Sequence, residues 1–218
     1  MAQLFDRSAN AIMRAIVLGL VVLVGGGIAA LVALDLSSYT TEVGIAKAQP
    51  VPFSHKHHVQ DLKLDCRYCH ASVEKAAFAG LPSTDTCMSC HSQIWTNSPL
   101  LQPVRDSFTK GQPLVWNRVY DLPNFVYFNH SIHVNKGVGC STCHGRVDQM
   151  QLTYKQQQPY MGWCLGCHRQ PELNVRPRDQ VFNMEWVPPT NQLEVGTQLV
   201  AEYHIKVKNL TDCAICHR

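Results

Sequence analysis

Phe128-Asn-His130-Ser-Ile-His133, six further residues, and then Cys140-Ser-Thr-Cys143-His144 is the stretch from which the rest of the chain is read. Its second half has the C-x-x-C-H spacing of covalent c-type haem attachment. Two thiols add to the vinyl groups of one porphyrin, and the adjacent histidine becomes the proximal iron ligand. The first half supplies two imidazoles at i and i+3, neighbours on one helical turn. Such a pair serves the open iron faces of two different haems. The spacing therefore predicts that His130 ligates the haem of Cys140 and that His133 reaches a haem anchored elsewhere.

The motif recurs at Cys66-Cys69-His70, Cys87-Cys90-His91, Cys164-Cys167-His168 and Cys213-Cys216-His217, so all ten cysteines are used. Zinc sites of the C-x-x-C type need no histidine at a fixed offset, and an odd number of C-x-x-C pairs suits them badly. The reading is five covalently bound haems c. With 19 Lys and Arg against 16 Asp and Glu, the formal charge of +3 says little about partners. Five haems would add about ten propionates to that balance, and nothing in the charge pattern points to nucleic acid.

Residues 15–34 are an uncharged apolar run of about 20, enough to cross a bilayer as a helix. A cleaved signal peptide is the competing reading, with Ala46-Lys-Ala48 as its cleavage site. That site lies far beyond the apolar run, and the run is long for a signal sequence. Arg7 and Arg14 before the helix and Asp35 after it place the N-terminus in the cytoplasm. Gly25-Gly26-Gly27 suits close approach by helices of other subunits.

After the membrane segment the founding pattern has an earlier copy, Phe53-Ser-His55-Lys-His57-His58, which leads to Cys66 as Phe128 leads to Cys140. Each copy is followed by a second C-x-x-C-H, an internal repeat of two-haem modules. The expected organisation is a cytoplasmic stub (1–12), a transmembrane helix (13–36), a linker (37–52) and a periplasmic pentahaem domain (53–218). Within the last, the modules are 53–91 and 128–168 and the fifth haem site is 204–218. The expected fold is a multihaem cytochrome c of class III/c7-like modules, mostly irregular with short helices around stacked haems. Residues 193–207 show some apolar alternation and are read as a strand or hairpin. The aromatics Trp116, Tyr120, Phe125 and Tyr127 are expected against haem faces.

Five of the eleven histidines are proximal: His70, His91, His144, His168 and His217. His55, His58, His130, His133 and His204 are the distal candidates, and His57 falls outside the repeat. His55 is paired with the haem of Cys66, while His58 reaches another. An axial thioether raises a haem potential, and Met150, shortly after His144, leads Met161 and Met184 as the candidate for one His/Met iron.

These features together resemble the membrane-anchored pentahaem cytochrome c subunit of alternative complex III, a bacterial quinol:electron-acceptor oxidoreductase. The likeness covers the N-terminal helix, the five C-x-x-C-H motifs and Trp116-Asn-Arg-Val-Tyr-Asp-Leu-Pro-Asn-Phe-Val-Tyr-Phe-Asn-His130. It continues through Gly137-Val-Gly-Cys140, Cys143-His144-Gly-Arg-Val-Asp148-Gln-Met150 and Met161-Gly-Trp-Cys164-Leu-Gly-Cys167-His168-Arg. The resemblance implies electron relay in a respiratory or photosynthetic complex of the bacterial inner membrane. Electrons would come from quinol-oxidising subunits and pass to a monohaem cytochrome c or another periplasmic acceptor, with no catalysis by this chain alone. Two alternatives are a stand-alone membrane-anchored quinol dehydrogenase and a multihaem reductase of a small oxyanion. The second needs a five-coordinate iron, which five histidine-terminated motifs and ample distal ligands argue against.

Overall fold

The computed structural model describes residues 5, 6 and 8–217. Arg7, invoked for membrane orientation, lies outside the described residues, as do residues 1–4 and Arg218. The chain divides into two units, Met1–Val43 and Gly44–Arg218.

In the first unit, helix α1 (Ser8–Leu36) runs 29 residues with none of them buried. At 1.5 Å per residue it is about 43 Å long, against a bilayer core of about 30 Å. It is long and apolar enough to cross a membrane, a property it shares with signal sequences. Arg14 lies inside α1, so the uncharged stretch begins about two turns after its start. The short α2 (Ser38–Thr41) follows, and the left-handed Glu42 ends it.

The second unit contains only short helices, turns and three isolated β-bridges among its described residues. Four of its helices hold haem-attachment motifs: α3 (Cys66–Cys69), α4 (Thr84–His91), α7 (Cys140–His144) and α8 (Met161–Arg169). The fifth motif opens α10 (Cys213–Cys216). Helix α5 (Gln102–Lys110) lies between the modules, and α6 (His130–Asn135) carries the second histidine pair. A single π-helical turn, Lys56–Asp61, carries His58 of the first pair, with His55 as its N-cap. The mostly irregular architecture expected from the motif density is what the chain adopts.

Residues 193–207 are not a strand. They belong largely to α9 (Gln192–Glu202), whose buried positions Gln192, Gly196 and Leu199, continued by Tyr203, recur at helical spacing. The apparent alternation reflects exposed Leu193 beside half-buried Val195, while the 3.6-residue face packs on Val175 and Val138. That packing is tight enough for a β-carbon on Gly196 to fall 1.8 Å from the Glu172 carbonyl oxygen.

The side-chain core is thin. Among the described residues ten hydrophobic side chains are buried, grouped mainly around Val73–Val134–Val181 and Val175–Leu199–Tyr203. So small a set is little to order more than 170 residues against chain entropy of about 1–2 kcal/mol each. The unit is built to fold around something besides its own side chains.

Candidate functional site: paired imidazoles and their attachment loops

Each Phe-x-His-x-x-His element folds the same way. Phe53 stacks on His58 (centroids 4.4 Å, planes 23° apart) and meets His55 edge-on at 4.9 Å. Phe128 stacks on His133 (4.5 Å, 26°) and meets His130 edge-on at 4.7 Å. His58 Nδ1 lies 2.8 Å from the Ser54 carbonyl and His133 Nδ1 lies 2.8 Å from the Asn129 carbonyl, four residues back in both. The phenylalanine, whose role the sequence did not reveal, is the buttress that splays the two rings apart.

Three imidazoles from these elements face three motif histidines. His130 and His144 are 6.4 Å apart between centroids with planes 10° apart, and His133 and His168 are 6.2 Å apart at 29°. His58 and His91 are 6.2 Å apart at 65°. A metal–imidazole bond of about 2.0 Å, taken with about 1.1 Å from nitrogen to ring centre, puts two trans-ligating rings about 6.2 Å apart. The observed separations leave room for one metal ion between each pair of rings. His55 is electrostatically coupled to His70 more than to any other ring.

The ring orientations point the same way. His70 Nδ1 bonds the Gly80 carbonyl at 2.7 Å, His130 that of Ala77 at 2.8 Å, and His168 that of Leu210 at 2.7 Å. His217 and His91 do the same to Phe125 (3.1 Å) and Ile94 (3.3 Å). A carbonyl oxygen only accepts, so each of these Nδ1 atoms carries the proton. Nε2 keeps its lone pair for a metal, and the carbonyl fixes the ring. His55 Nδ1 pairs instead with the Thr153 hydroxyl at 2.8 Å. Burial, then neighbouring imidazoles, pushes both His55 and His144 down to about 4, which keeps them in the neutral form that ligates. His57 differs: it is exposed and 3.8 Å from the Asp61 carboxylate.

Two candidates are placed differently. His204 is exposed, with φ +53°, and no imidazole–imidazole ring contact among the described residues involves it. Met150 is buried, with its carbonyl accepting from Lys56 N at 3.0 Å, and the ring that faces His144 is that of His130. Met184 is buried and Met161 exposed. Of the aromatics, Tyr120 meets His144 edge-on at 4.9 Å and donates to the Cys143 carbonyl at 3.0 Å, and Phe125 stacks on His217 at 5.9 Å.

None of the ten cysteines is in a disulfide, and among the described residues no three His, Cys, Asp or Glu side chains converge as a zinc site would require. The attachment loops sit beside one another. Tyr68 and Ser89, inside the first two motifs, share a 2.8 Å hydroxyl contact, and Cys69 feels the charge of Cys87. Burial pushes the Cys140 thiol up to about 12, with Cys66 the next cause. Cys143 is pushed up to about 12 by burial and then by Cys167. Cys164 is raised by burial and then by Cys216. Tyr127 N bonds the Cys216 carbonyl at 2.8 Å, fastening the last loop.

Repeated C-x-x-C-H motifs on short helices, in a unit with few buried apolar side chains, define a multihaem c-type cytochrome with a c7-like domain, an electron-transport protein. Residues 126–218 match the family model described as cytochrome c7 and related cytochrome c. The chain is similar to the multiheme cytochrome c subunit of menaquinone reductase from Nitratidesulfovibrio vulgaris (strain Hildenborough), 38% identical over 99 residues. The chain spans about half the length of that relative, the aligned stretch being 45% of this chain and 46% of the other.

Proposed function

We propose that this chain carries five covalently attached haems c and is the relay subunit of a quinone-linked membrane complex. It would pass electrons from quinol-oxidising partner subunits towards a periplasmic acceptor such as a monohaem cytochrome c. The observation that carries this reading is the set of three imidazole pairs at 6.2–6.4 Å, with protons held on the outward nitrogens by carbonyls. When bound, haem supplies reversible one-electron chemistry whose potential is tuned by axial ligand, burial and hydrogen bonding.

The chain's own residues tether, orient and fill. Thiols of each motif would hold a porphyrin edge, and the histidine beside them would take one iron face. The opposite faces are assigned to His55 for the Cys66 site, His58 for Cys87, His130 for Cys140, His133 for Cys164 and His204 for Cys213. At the three sites where two imidazoles face each other, an iron held between them would have no face left for substrate, which disfavours the oxyanion-reductase alternative there. The neighbour relations among the loops support a single succession, Cys87–Cys66–Cys140–Cys164–Cys213, with the first two sites exchanged relative to chain order. The two-histidine elements each bridge adjacent members of that succession.

Helix α1 would anchor the subunit with residues after Asp35 on the periplasmic side of the inner membrane, its Gly25–Gly27 cluster packed on partner helices. The relative's name favours a second reading, in which the same relay runs towards menaquinone. The mass of the denatured chain tests the cofactor claim: five haem increments are expected, and fewer would overturn it. Purification from membranes in gentle detergent should bring partner subunits along. Reduction of the complex by a quinol analogue supports the first direction. Reduction only by a reduced periplasmic cytochrome, followed by menaquinone reduction, supports the second.

A further inference from the structure

The segment Gly137-Val-Gly139-Cys140 leads into the central attachment loop, and a buried cation explains its second glycine. Arg176 is 4% exposed. Its backbone N–H donates to the Gly137 carbonyl at 2.8 Å, beside a bridge between Val138 and Val175. A β-carbon on Gly139 would stand 2.1 Å from the guanidinium carbon. One on Gly137 (φ +79°) would stand 2.5 Å from the Arg176 carbonyl oxygen. Gly139 thus leaves room for the guanidinium, while Gly137 is fixed by its left-handed φ and by the backbone of residue 176 and the Tyr203 ring.

The guanidinium reaches the two residues between Cys140 and Cys143. It donates to Ser141 Oγ at 3.2 Å and Thr142 Oγ1 at 3.0 Å, and to the Asn183 carbonyl at 3.4 Å. It also lies 4.2 Å over the Trp186 ring. Its Nε is buried without a partner. Among the described residues no carboxylate pairs with it: Asp148 and Glu185, in the same region, are both held by Arg146. Burying a charge is expensive, and this one is set against one attachment loop.

We propose that Arg176 is a positioning residue that raises the reduction potential of the haem held by Cys140 and Cys143. This rests on the reading of that loop as a haem site. Reduction there adds one electron to a ferric iron and makes or breaks no bond at Arg176. A fixed positive charge nearby favours the product, which carries one positive charge less. Gly139 and the Ser141 and Thr142 hydroxyls keep the cation at that loop. The effect is thereby confined to one site, the middle of the succession, whose level governs passage between its two halves.

The test is a redox titration of the full haem-loaded chain carrying Arg176→Gln, Arg176→Met or Arg176→Lys, followed by optical and paramagnetic spectra. In the two neutral variants one haem should shift to lower potential. Its reduced-to-oxidised ratio at fixed ambient potential should fall about tenfold, the order expected of one charge within about 10 Å at an effective dielectric constant of about 20. The other haems should stay in place, and Arg176→Lys should titrate as the wild type. Neutral variants that titrate as wild type would overturn the proposal. So would a lysine variant that falls as far as they do, because Arg176 would then be only a hydrogen-bonding strut. Should the neutral variants fail to retain haem, Arg176→Lys decides alone: an unchanged potential supports the charge, and a lowered one overturns it. Failure of the underlying reading is separate, appearing as a wild-type chain whose peptide containing Cys140 and Cys143 carries no haem mass.

Discussion

Replacing His130 by alanine removes the ring that faces His144 at 6.4 Å and leaves the partner ring untouched. The structural cost is modest. The bond from Nδ1 to the Ala77 carbonyl contributes about 1 kcal/mol, and the edge-on contact with Phe128 contributes about 0.5–1.5 kcal/mol. A loss of about 1.5–2.5 kcal/mol leaves a protein of ordinary stability folded, so the variant should keep its haem complement. One iron in five should become high-spin, a fifth of the total haem by optical or paramagnetic spectroscopy. His133→Ala should open a different iron, that of His168. The two are distinguished in a background lacking Cys140 and Cys143. There His130→Ala should add no high-spin signal, while His133→Ala should still add one site's worth. A fully low-spin His130→Ala protein, or two variants that open the same iron, would refute the assignment of one helix to two haems.

Other outcomes follow from the same geometry. His57→Ala should leave every haem low-spin, because that ring faces the Asp61 carboxylate and Trp95, touches His58 only edge-on, and meets no motif histidine among the described residues; a high-spin signal in this variant would count against the ligand set. Gly196→Ala should lower stability by about 1–3 kcal/mol or more, since the added carbon meets the Glu172 backbone at 1.8 Å; an unchanged denaturation midpoint would show that α9 yields freely. His55 and His144 have folded pKa values near 4, below the ordinary 6.5. Their contribution to stability is therefore complete above about 6.5 and is lost as pH falls towards 4. Ligation to iron opposes protonation further, so the low-spin spectrum should persist to about pH 4 in an acid titration; conversion near pH 6 would contradict it. The isolated subunit should accept electrons from a small soluble reductant but not from a quinol, because α1 contains only aliphatic and glycine residues from position 15 to 34. Inhibitor-sensitive quinol oxidation by the subunit alone would favour the stand-alone dehydrogenase.

The chemistry of this chain is written in local spacing. Two cysteines and a histidine within five residues bind one porphyrin edge whatever surrounds them, so the attachment motifs are legible without a fold. The same holds for the apolar run of α1, whose length alone meets a bilayer. The Phe-x-His-x-x-His elements are also local: their rings diverge because a helical turn and one stacked phenylalanine force them to, and the pairing of His130 with His144 is readable from the short spacer between them.

Which motif histidine the second imidazole faces is a different kind of fact. His133 meets His168 and His58 meets His91 because loops distant in sequence fold back, and no spacing encodes that distance. The partners of the proximal rings, carbonyls such as Gly80 and Leu210, are equally silent in sequence, since every residue has a carbonyl and only tertiary packing selects one. The α9 segment was misread because apolar alternation over a few residues is common to strands and to short amphipathic helices. Packing against Val175 and the Glu172 backbone, not propensity, decides between them. Arg176 lies 36 residues beyond Cys140 in the chain. Only the tertiary structure brings its charge to the Cys140–Cys143 loop, because burial and proximity are properties of the folded chain and not of the order of its residues.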